Sequence, residues 1–195
     1  MARTQAADYD QKREIITRKA AELFATKGFA AASVSDLARK CKISKSLLYH
    51  YYPSKEAILF AAMSDHMDAL VRIVCDRKKI KHTPEEEFRA LTRDLLQCYT
   101  GAAHHQKILL YELSFLPAAQ RKEIIEKQRE VIGAVEALLA AMIAKAKTNR
   151  SKLRAKVMLY FGMMNWTHTW FKAAGPITRN ELADEIANTT LCSLK

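Results

Sequence analysis

SVSDLARKCKISKSLLYHYYPSK, residues 33–55, is the most informative stretch of the sequence. Its pattern predicts two short helices joined by a tight turn, with Ser33 and Ser44 as their N-terminal caps. The second helix, over residues 45–51, is crowded with small, basic and aromatic side chains, and Pro53 ends it. This layout is typical of a helix that enters the DNA major groove between two sets of phosphate contacts. We therefore expect residues 33–55 to bind double-stranded DNA.

The side chains of this stretch divide into anchors and outward-facing groups. We expect Leu37, Leu48 and Tyr52 to anchor the two helices to a core. Serine hydroxyls, lysines and helix N-termini bind phosphates, whereas lysine and apolar side chains in the groove contact base edges. The candidate DNA-binding residues are Ser33, Ser35, Lys45, Ser46, Leu47, Tyr49, His50 and Lys55. An ordinary core position is the alternative for the tyrosines of this stretch.

The rest of the chain predicts an all-α protein. Five Gly and four Pro among 195 residues are few, and strand-like alternation is scarce. Besides the two short helices, we expect helices over residues 10–27, 54–79, 84–100, 104–115 and 117–147, one that Asn149 or Ser151 caps and that ends near residue 172, and one from 178 to the C-terminus. Gly28 is expected to end the first of them in the left-handed conformation. The prediction is thus nine helices and no sheet.

Positive charge is concentrated at the N-terminal end. The net charge is +11, and residues 1–55 hold 11 Lys and Arg against 5 Asp and Glu. This distribution favours a polyanionic partner for the N-terminal part. No stretch offers about 18 apolar residues without charge, and the N-terminus lacks an apolar signal-peptide core. We therefore expect a cytoplasmic protein with no membrane partner.

Two motifs in residues 12–60 carry a family resemblance. AAELFATKGF, residues 20–29, matches an A-x-x-L-F-x-x-x-G-F pattern, and ISKSLLYHYYPSKE, residues 43–56, matches a turn followed by G/S-x-L-Y-x-Y/H-F. Ser46 stands where Gly is common, and Tyr52 where Phe is common. With these motifs, residues 12–60 resemble the DNA-binding head of TetR-family transcriptional repressors.

The resemblance implies an architecture and a mode of action. It implies a nine-helix fold with a three-helix, helix-turn-helix DNA-binding domain over residues 1–55 and a helical ligand-binding and dimerisation domain over residues 56–195. It also implies a homodimer formed through the last two long helices, a palindromic operator, and release from DNA when a small molecule binds.

Residues 157–166, VMLYFGMMNW, are apolar nearly all round. A helix of this kind must be covered on more than one side, by its own chain and by a partner helix. The small Gly162 permits close approach of that partner. A single buried core helix is the alternative. The pattern favours a homodimer, which would also bring two DNA-binding heads to successive half-sites.

Methionines and aromatic residues of the second domain predict an apolar ligand site, because such side chains adapt to bulky hydrophobic molecules. The candidate ligand-binding residues are Met67, Tyr99, Tyr111, Phe115, Met163, Trp166 and Trp170. Plain core is the alternative for the same pattern. Residues 161–171, FGMMNWTHTWF, followed by Gly175-Pro176-Ile177, resemble the C-terminal segment of TetR-type regulators of fatty-acid, sterol or aromatic-acid catabolism. That resemblance implies a small hydrophobic effector, an acyl-CoA thioester or another bulky molecule.

Two other functions compete with this interpretation. A metal-responsive DNA-binding sensor would use histidines such as His104 and His105, but no H-x-x-x-H or C-x-x-C pair occurs in the sequence. A hydrolase acting on acyl thioesters would need a nucleophile elbow or paired carboxylates, and neither motif is found. We therefore expect a regulator that is not an enzyme and uses no metal or cofactor.

Overall fold

The computed structural model describes residues 2–76, 83–143 and 150–194. The described residues form nine α-helices and one short 3-10 helix, Leu113–Phe115, and they contain no strand. The helices are α1 (Ala2–Lys27), α2 (Val34–Cys41), α3 (Lys45–Tyr51), α4 (Lys55–Cys75), α5 (Pro84–Gly101), α6 (Ala103–Tyr111), α7 (Ala118–Ile143), α8 (Arg150–Trp170) and α9 (Arg179–Cys192). The predicted all-α class is therefore confirmed. None of these helices is long and apolar enough to cross a bilayer.

Several helix ends differ from the prediction. Helix α1 begins at Ala2 and not near residue 10, because the first residues contain good helix formers and no Gly or Pro. The helix expected over 104–115 is broken into α6 and the 3-10 helix. Leu116 is extended (φ −76°, ψ 142°), the conformation that a following proline favours. The predicted ends near residues 79 and 147 lie outside the described residues.

The predicted helix starts are confirmed at four caps. Ser33 and Asp36 form a capping box at α2, as do Thr83 with Glu86 at α5 and Thr178 with Glu181 at α9. Ser44 caps α3 by accepting a hydrogen bond from the backbone N–H of Leu47 at 3.1 Å. Each cap satisfies backbone donors that the first helical turn leaves unpaired. Gly28 ends α1 with φ +82°, the left-handed conformation expected of it.

The chain forms two compact units. The first comprises Met1–His66 and His104–Ile124, and the second Met67–Ala103 and Ile125–Lys195. The first unit thus includes the beginning of α4 and α6 from His104 onwards, so it is larger than the head predicted over residues 1–55. The division into a DNA-binding and a ligand-binding domain at residue 55 is one of function, and it stays a prediction.

Each unit has its own apolar core. The core of the first includes Ile16, Phe24, Phe29, Leu37, Leu48, Tyr52, Ile58 and Leu59, all buried. The core of the second includes Met67, Phe88, Leu95, Tyr99, Tyr160, Met164 and Ile186. In the second unit the hydroxyl of Tyr160 donates to the Thr92 Oγ1 at 3.2 Å, so this buried polar group is hydrogen-bonded inside the core.

Candidate nucleic-acid interface

A hydrogen-bonded network holds the start of α2. The backbone N–H of Asp36 donates to Ser33 Oγ at 3.0 Å, and the N–H of Ser33 donates to Asp36 Oδ2 at 3.2 Å. The ammonium of Lys27 donates to the same Oδ2 at 2.6 Å. The hydrogen bonds from Lys27, followed by those from Ser33, hold the pKa of the Asp36 carboxyl well below its usual range. A negative charge is thus retained at the N-terminus of α2, where the helix dipole favours it.

The turn into α3 depends on a lysine in an uncommon conformation. Lys42 ends α2 with φ 58° and ψ 41°, and its N–H bonds to the carbonyls of Ala38 and Arg39. Its side chain is exposed, between the two helices of the helix-turn-helix. The sequence indicated a turn here but not a left-handed residue, which is usually Gly or Asn. Lys42 therefore adds a positive charge to this surface that the candidate set did not include.

Helix α3 is attached to the core through few residues. Leu48 and Tyr52 are buried, as is Leu37 on α2, so the three predicted anchors are confirmed. The Tyr52 hydroxyl accepts a hydrogen bond from the Nε of Arg13 at 3.3 Å, and the guanidinium carbon of Arg13 lies 5.0 Å from the centroid of the Tyr52 ring. Helix α1 thereby supports the C-terminal end of α3.

Five of the eight candidate DNA-binding residues lie together on the exposed part of α3. Lys45, Ser46, Leu47, Tyr49 and His50 are all exposed, with Leu47 at 38% and Tyr49 at 49% of full exposure. A helix of seven residues is about 10 Å long, which fits within a major groove about 12 Å wide. The structure thus presents these side chains where a groove could receive them, and their contact with DNA stays a prediction.

The two candidate serines of α2 lie at its first turn. Ser33 is exposed and Ser35 is half-buried. The Ser33 hydroxyl oxygen is already an acceptor in the capping box, so its first role is to hold the helix start. The second role predicted for both residues, phosphate contact, is compatible with their position at a helix N-terminus.

Lys55 has a structural role that the sequence did not predict. Its ammonium donates to the backbone carbonyls of Phe29 at 2.8 Å and Ala32 at 3.0 Å, and lies 4.1 Å from the centroid of the Phe29 ring. These contacts join the start of α4 to the loop between α1 and α2. The Phe29 ring in turn lies against Phe115, with centroids 5.1 Å apart. Two of the three ammonium donors of Lys55 are therefore used within the fold, which leaves one for the predicted phosphate contact.

The candidate ligand-binding residues are divided between the two units. Tyr111 and Phe115 belong to the first unit and the other five to the second. Met67 and Tyr99 are buried and Met163 is half-buried. The remaining aromatic side chains are exposed, namely Tyr111, Phe115, Trp166 and Trp170. Their exposure was not expected for residues that line an apolar site, and the ligand assignment of the whole set stays a prediction.

Two histidines of the first unit are shielded from solvent. The buried His66 donates from Nε2 to the side-chain oxygen of Gln106 at 2.7 Å, and its ring centroid lies 6.1 Å from that of His105. Burial lowers the pKa of His66, and burial followed by the charge of His66 lowers the pKa of His105 to about 4. Across residues 2–76, 83–143 and 150–194, no three His, Cys, Asp or Glu side chains are grouped so that they could hold a metal ion.

Comparison with known proteins covers both ends of the chain. The family model described as bacterial regulatory proteins, tetR family, matches residues 16–62. The model described as tetracyclin repressor-like, C-terminal domain, matches residues 81–194, which is more than half of the chain. The first match contains α2 and α3 with all eight candidate DNA-binding residues.

Individual proteins agree with these matches. A TetR-family transcriptional regulator from Bordetella parapertussis 12822 is 36% identical, with 92% of this chain and 93% of that chain covered and a TM-score of 0.84. AibR, solved in complex with isovaleryl coenzyme A and operator DNA, is 25% identical, with 91% and 97% covered and a TM-score of 0.78. The curated HTH-type transcriptional regulator YuxN of Bacillus subtilis is 31% identical over 103 residues, 53% of this chain. The matched stretch is 34% of YuxN, so the chain spans about a third of that relative's length. The chain belongs to the tetR family of bacterial regulatory proteins.

Proposed function

We propose that this protein is a sequence-specific DNA-binding transcriptional regulator, a repressor that binds a palindromic operator as a homodimer and leaves it when a small molecule binds. The main support for this proposal is the exposed face of α3. Lys45, Leu47 and Tyr49 are exposed there, whereas Leu48 on the same helix is buried in the core. Because the operator would lie on the bacterial chromosome, we place the protein in the cytoplasm.

Each exposed side chain of α3 has a partner on DNA that suits its chemistry. Lys45 would donate to a guanine edge, Ser46 to a base or phosphate, and Leu47 would pack on a thymine methyl group. Tyr49 and His50 would donate to phosphates beside the groove. The first-turn N–H groups of α2 would position the backbone on the other side, since phosphate contacts fix register and base contacts supply specificity.

The outward face of α8 supports the homodimer. Its exposed residues at helical spacing are Ala155, Met158, Leu159, Gly162, Trp166 and Trp170. Leu159 is 70% exposed and Trp166 is 60% exposed in the single chain. The stripe from Ala155 to Trp170 is about 22 Å long. A continuous apolar surface of this size is typical of an interface, and a second copy related by a two-fold axis would cover it with the same residues.

We propose an acyl-CoA, or another bulky hydrophobic molecule, as the effector. Support comes from AibR, which binds isovaleryl coenzyme A, and from the Met and aromatic side chains of the second unit. Met67, Tyr99 and Met163 remain the candidates for ligand contact within that unit. Trp166 and Trp170 fit the dimer face of α8 better, because their exposure is continuous with the rest of that stripe.

Capture of genomic DNA tests the regulatory function. Immobilised protein would be incubated with sheared DNA of the host at moderate salt, and the retained fragments sequenced. We expect enrichment of a few fragments that contain an inverted repeat, with binding that weakens steeply as salt is added, because phosphate contacts dominate affinity. Retention without any enriched fragment would contradict sequence-specific regulation.

Release from DNA tests the effector. A fluorescent duplex carrying the captured repeat would be titrated with protein, and the complex then with isovaleryl-CoA, longer acyl-CoAs and free coenzyme A. We expect at least one acyl-CoA to release the duplex and free coenzyme A to leave it bound. If no acyl-CoA releases the duplex, the acyl-CoA proposal is refuted while the regulatory function stands.

A further inference from the structure

The first turns of α1 contact α3. Tyr9 lies in the part of α1 that precedes residue 16, where the family match begins. Its ring centroid is 4.9 Å from that of Tyr51, with the planes tilted by 37°, and 6.3 Å from that of His50, with the planes at 90°. The rings of His50 and Tyr51 are themselves 5.5 Å apart. These three rings form an aromatic cluster at the C-terminal end of α3.

Tyr9 shares its face of α1 with Arg13. The two residues are four apart, so they lie one above the other on the helix. Arg13 contacts Tyr52, and Tyr9 contacts His50 and Tyr51. One face of α1 therefore touches three consecutive residues at the end of α3.

These contacts matter because α3 is too short to be stable alone. Seven residues are fewer than an isolated helix needs in water, so tertiary contacts must hold it. The Ser44 cap holds its start and Leu48 its middle. The aromatic cluster and Tyr52 hold its end. Tyr9 is still 38% exposed, so its removal leaves no cavity in the core.

We propose that Tyr9 is a positioning residue for DNA recognition, whose ring holds His50 and Tyr51 and thereby orients the far end of α3 on the duplex. The inference rests on the proposed DNA-binding function of α3. The action is through the ring and not through the hydroxyl, because the contacts of Tyr9 with α3 are between ring faces and edges.

Substitutions in the full-length chain test the proposal with matched controls. Tyr9→Ala removes the ring and Tyr9→Phe keeps it without the hydroxyl. Gln11→Ala changes an exposed side chain two residues away, on the opposite side of the same helix. We expect Tyr9→Ala to weaken operator binding about three- to tenfold, the range typical of lost aromatic pairs. Tyr9→Phe and Gln11→Ala should bind like the wild type, and all three variants should remain folded at the temperature of the binding assay.

A second measurement shows whether Tyr9 acts through α3. In a chain that already carries His50→Ala and Tyr51→Ala, adding Tyr9→Ala should cause no further loss, because the rings that it positions are gone. An equal additional loss in that background would overturn the proposal, as would unchanged affinity of Tyr9→Ala. Binding by Tyr9→Phe as weak as by Tyr9→Ala would show a direct hydroxyl contact instead.

If the wild-type chain binds no DNA sequence specifically, the proposed function fails. If it binds and Tyr9→Ala binds equally well, only the proposed role of Tyr9 fails.

Discussion

At the scale of single residues, the side chains of α3 separate into those that hold the helix and those available to DNA. Leu48 and Tyr52 are buried, whereas Tyr49 between them is 49% exposed. A substitution at Tyr49 should therefore change binding without changing the fold. A substitution at Lys55 should in addition lower the stability of the fold, because its ammonium donates hydrogen bonds to two backbone carbonyls.

Tyr49→Ala is expected to weaken operator binding by roughly 1–3 kcal/mol, the usual loss for one good contact to DNA. Fluorescence anisotropy would measure the affinity, and thermal unfolding should give the wild-type midpoint. Tyr49→Phe removes the proposed hydrogen bond from the hydroxyl to a DNA phosphate but keeps the packing of the ring. We expect it to lose most of the binding free energy that Tyr49→Ala loses. Wild-type affinity in both variants would remove Tyr49 from the interface.

Lys55→Met is expected to lower the free energy of unfolding by about 1–3 kcal/mol, since it removes two charge-assisted hydrogen bonds and leaves two carbonyls without their donor. Urea unfolding followed by circular dichroism would measure the change. Lys45→Met is the matched control, because Lys45 is exposed on α3. Equal midpoints for the two variants would contradict the structural role of Lys55.

The shielded His105 should make folding stability depend on pH. Its pKa is lowered to about 4 from an ordinary value of 6.5, so the unfolded chain binds a proton in this range and the folded chain does not. Stability is therefore full above pH 6.5 and should fall as the pH drops towards 4. His105→Gln should flatten that decline, whereas His104→Gln, at the exposed neighbouring position, should not. Urea midpoints measured from pH 6.5 to pH 4 would give the pH dependence of stability for each variant. The same pH dependence in both would show that His105 does not cause the decline.

At the scale of helices, the sequence predicted what depends on close neighbours along the chain. Ser33 with Asp36 and Thr178 with Glu181 are three residues apart, so the capping boxes could be recognised from spacing alone. Lys55 and Phe29 are 26 residues apart, and their contact depends on how helices pack. The same limit applies to Tyr9, to the division of α6 from the 3-10 helix, and to the exposure of Trp166 and Trp170. Apolar periodicity indicates which residues are buried, but not whether their own chain or a partner buries them.

Loss of the α3 cap should affect stability and binding together. Ser44→Ala removes the acceptor for the Leu47 N–H, and we expect a loss of about 1 kcal/mol in the free energy of unfolding. Operator binding should weaken as well, because the first turn carries Lys45, Ser46 and Leu47. Ser44→Asn restores an equally good cap without a charge, so both quantities should recover. A variant Ser44→Asn no better than Ser44→Ala would show that the hydroxyl has another role.

At the scale of the whole molecule, we propose that α8 forms the interface of a dimer. The sequence showed a helix that is apolar nearly all round, and in the structure one of its faces is buried and the other is exposed. Val157, Tyr160 and Met164 are buried within the chain, while Met158 and Leu159 are exposed. A second copy is our proposal for what covers the exposed face.

Gly162→Leu tests that proposal. A Cβ atom at Gly162 would have no neighbour within 4 Å among the described residues, so we expect the substitution to leave the protomer folded and to obstruct a close partner helix. Light scattering at fixed concentration should show a shift from dimer towards monomer. Gly133→Leu on α7 is the matched control, since this glycine is also helical and exposed, and a Cβ atom there would likewise contact no described residue within 4 Å. An unchanged dimer in Gly162→Leu, or an equal shift in the control, would exclude α8 as the interface.

We propose that α3 of each protomer reads one half of a palindromic operator. The most direct measurement is the affinity of the wild type and of Lys45→Ala for every single base-pair substitution of the captured operator. We predict that Lys45→Ala loses discrimination at one base pair in each half-site, at positions related by the two-fold axis, and keeps it elsewhere. A uniform loss at all positions, or an unchanged preference throughout, would contradict base recognition by α3.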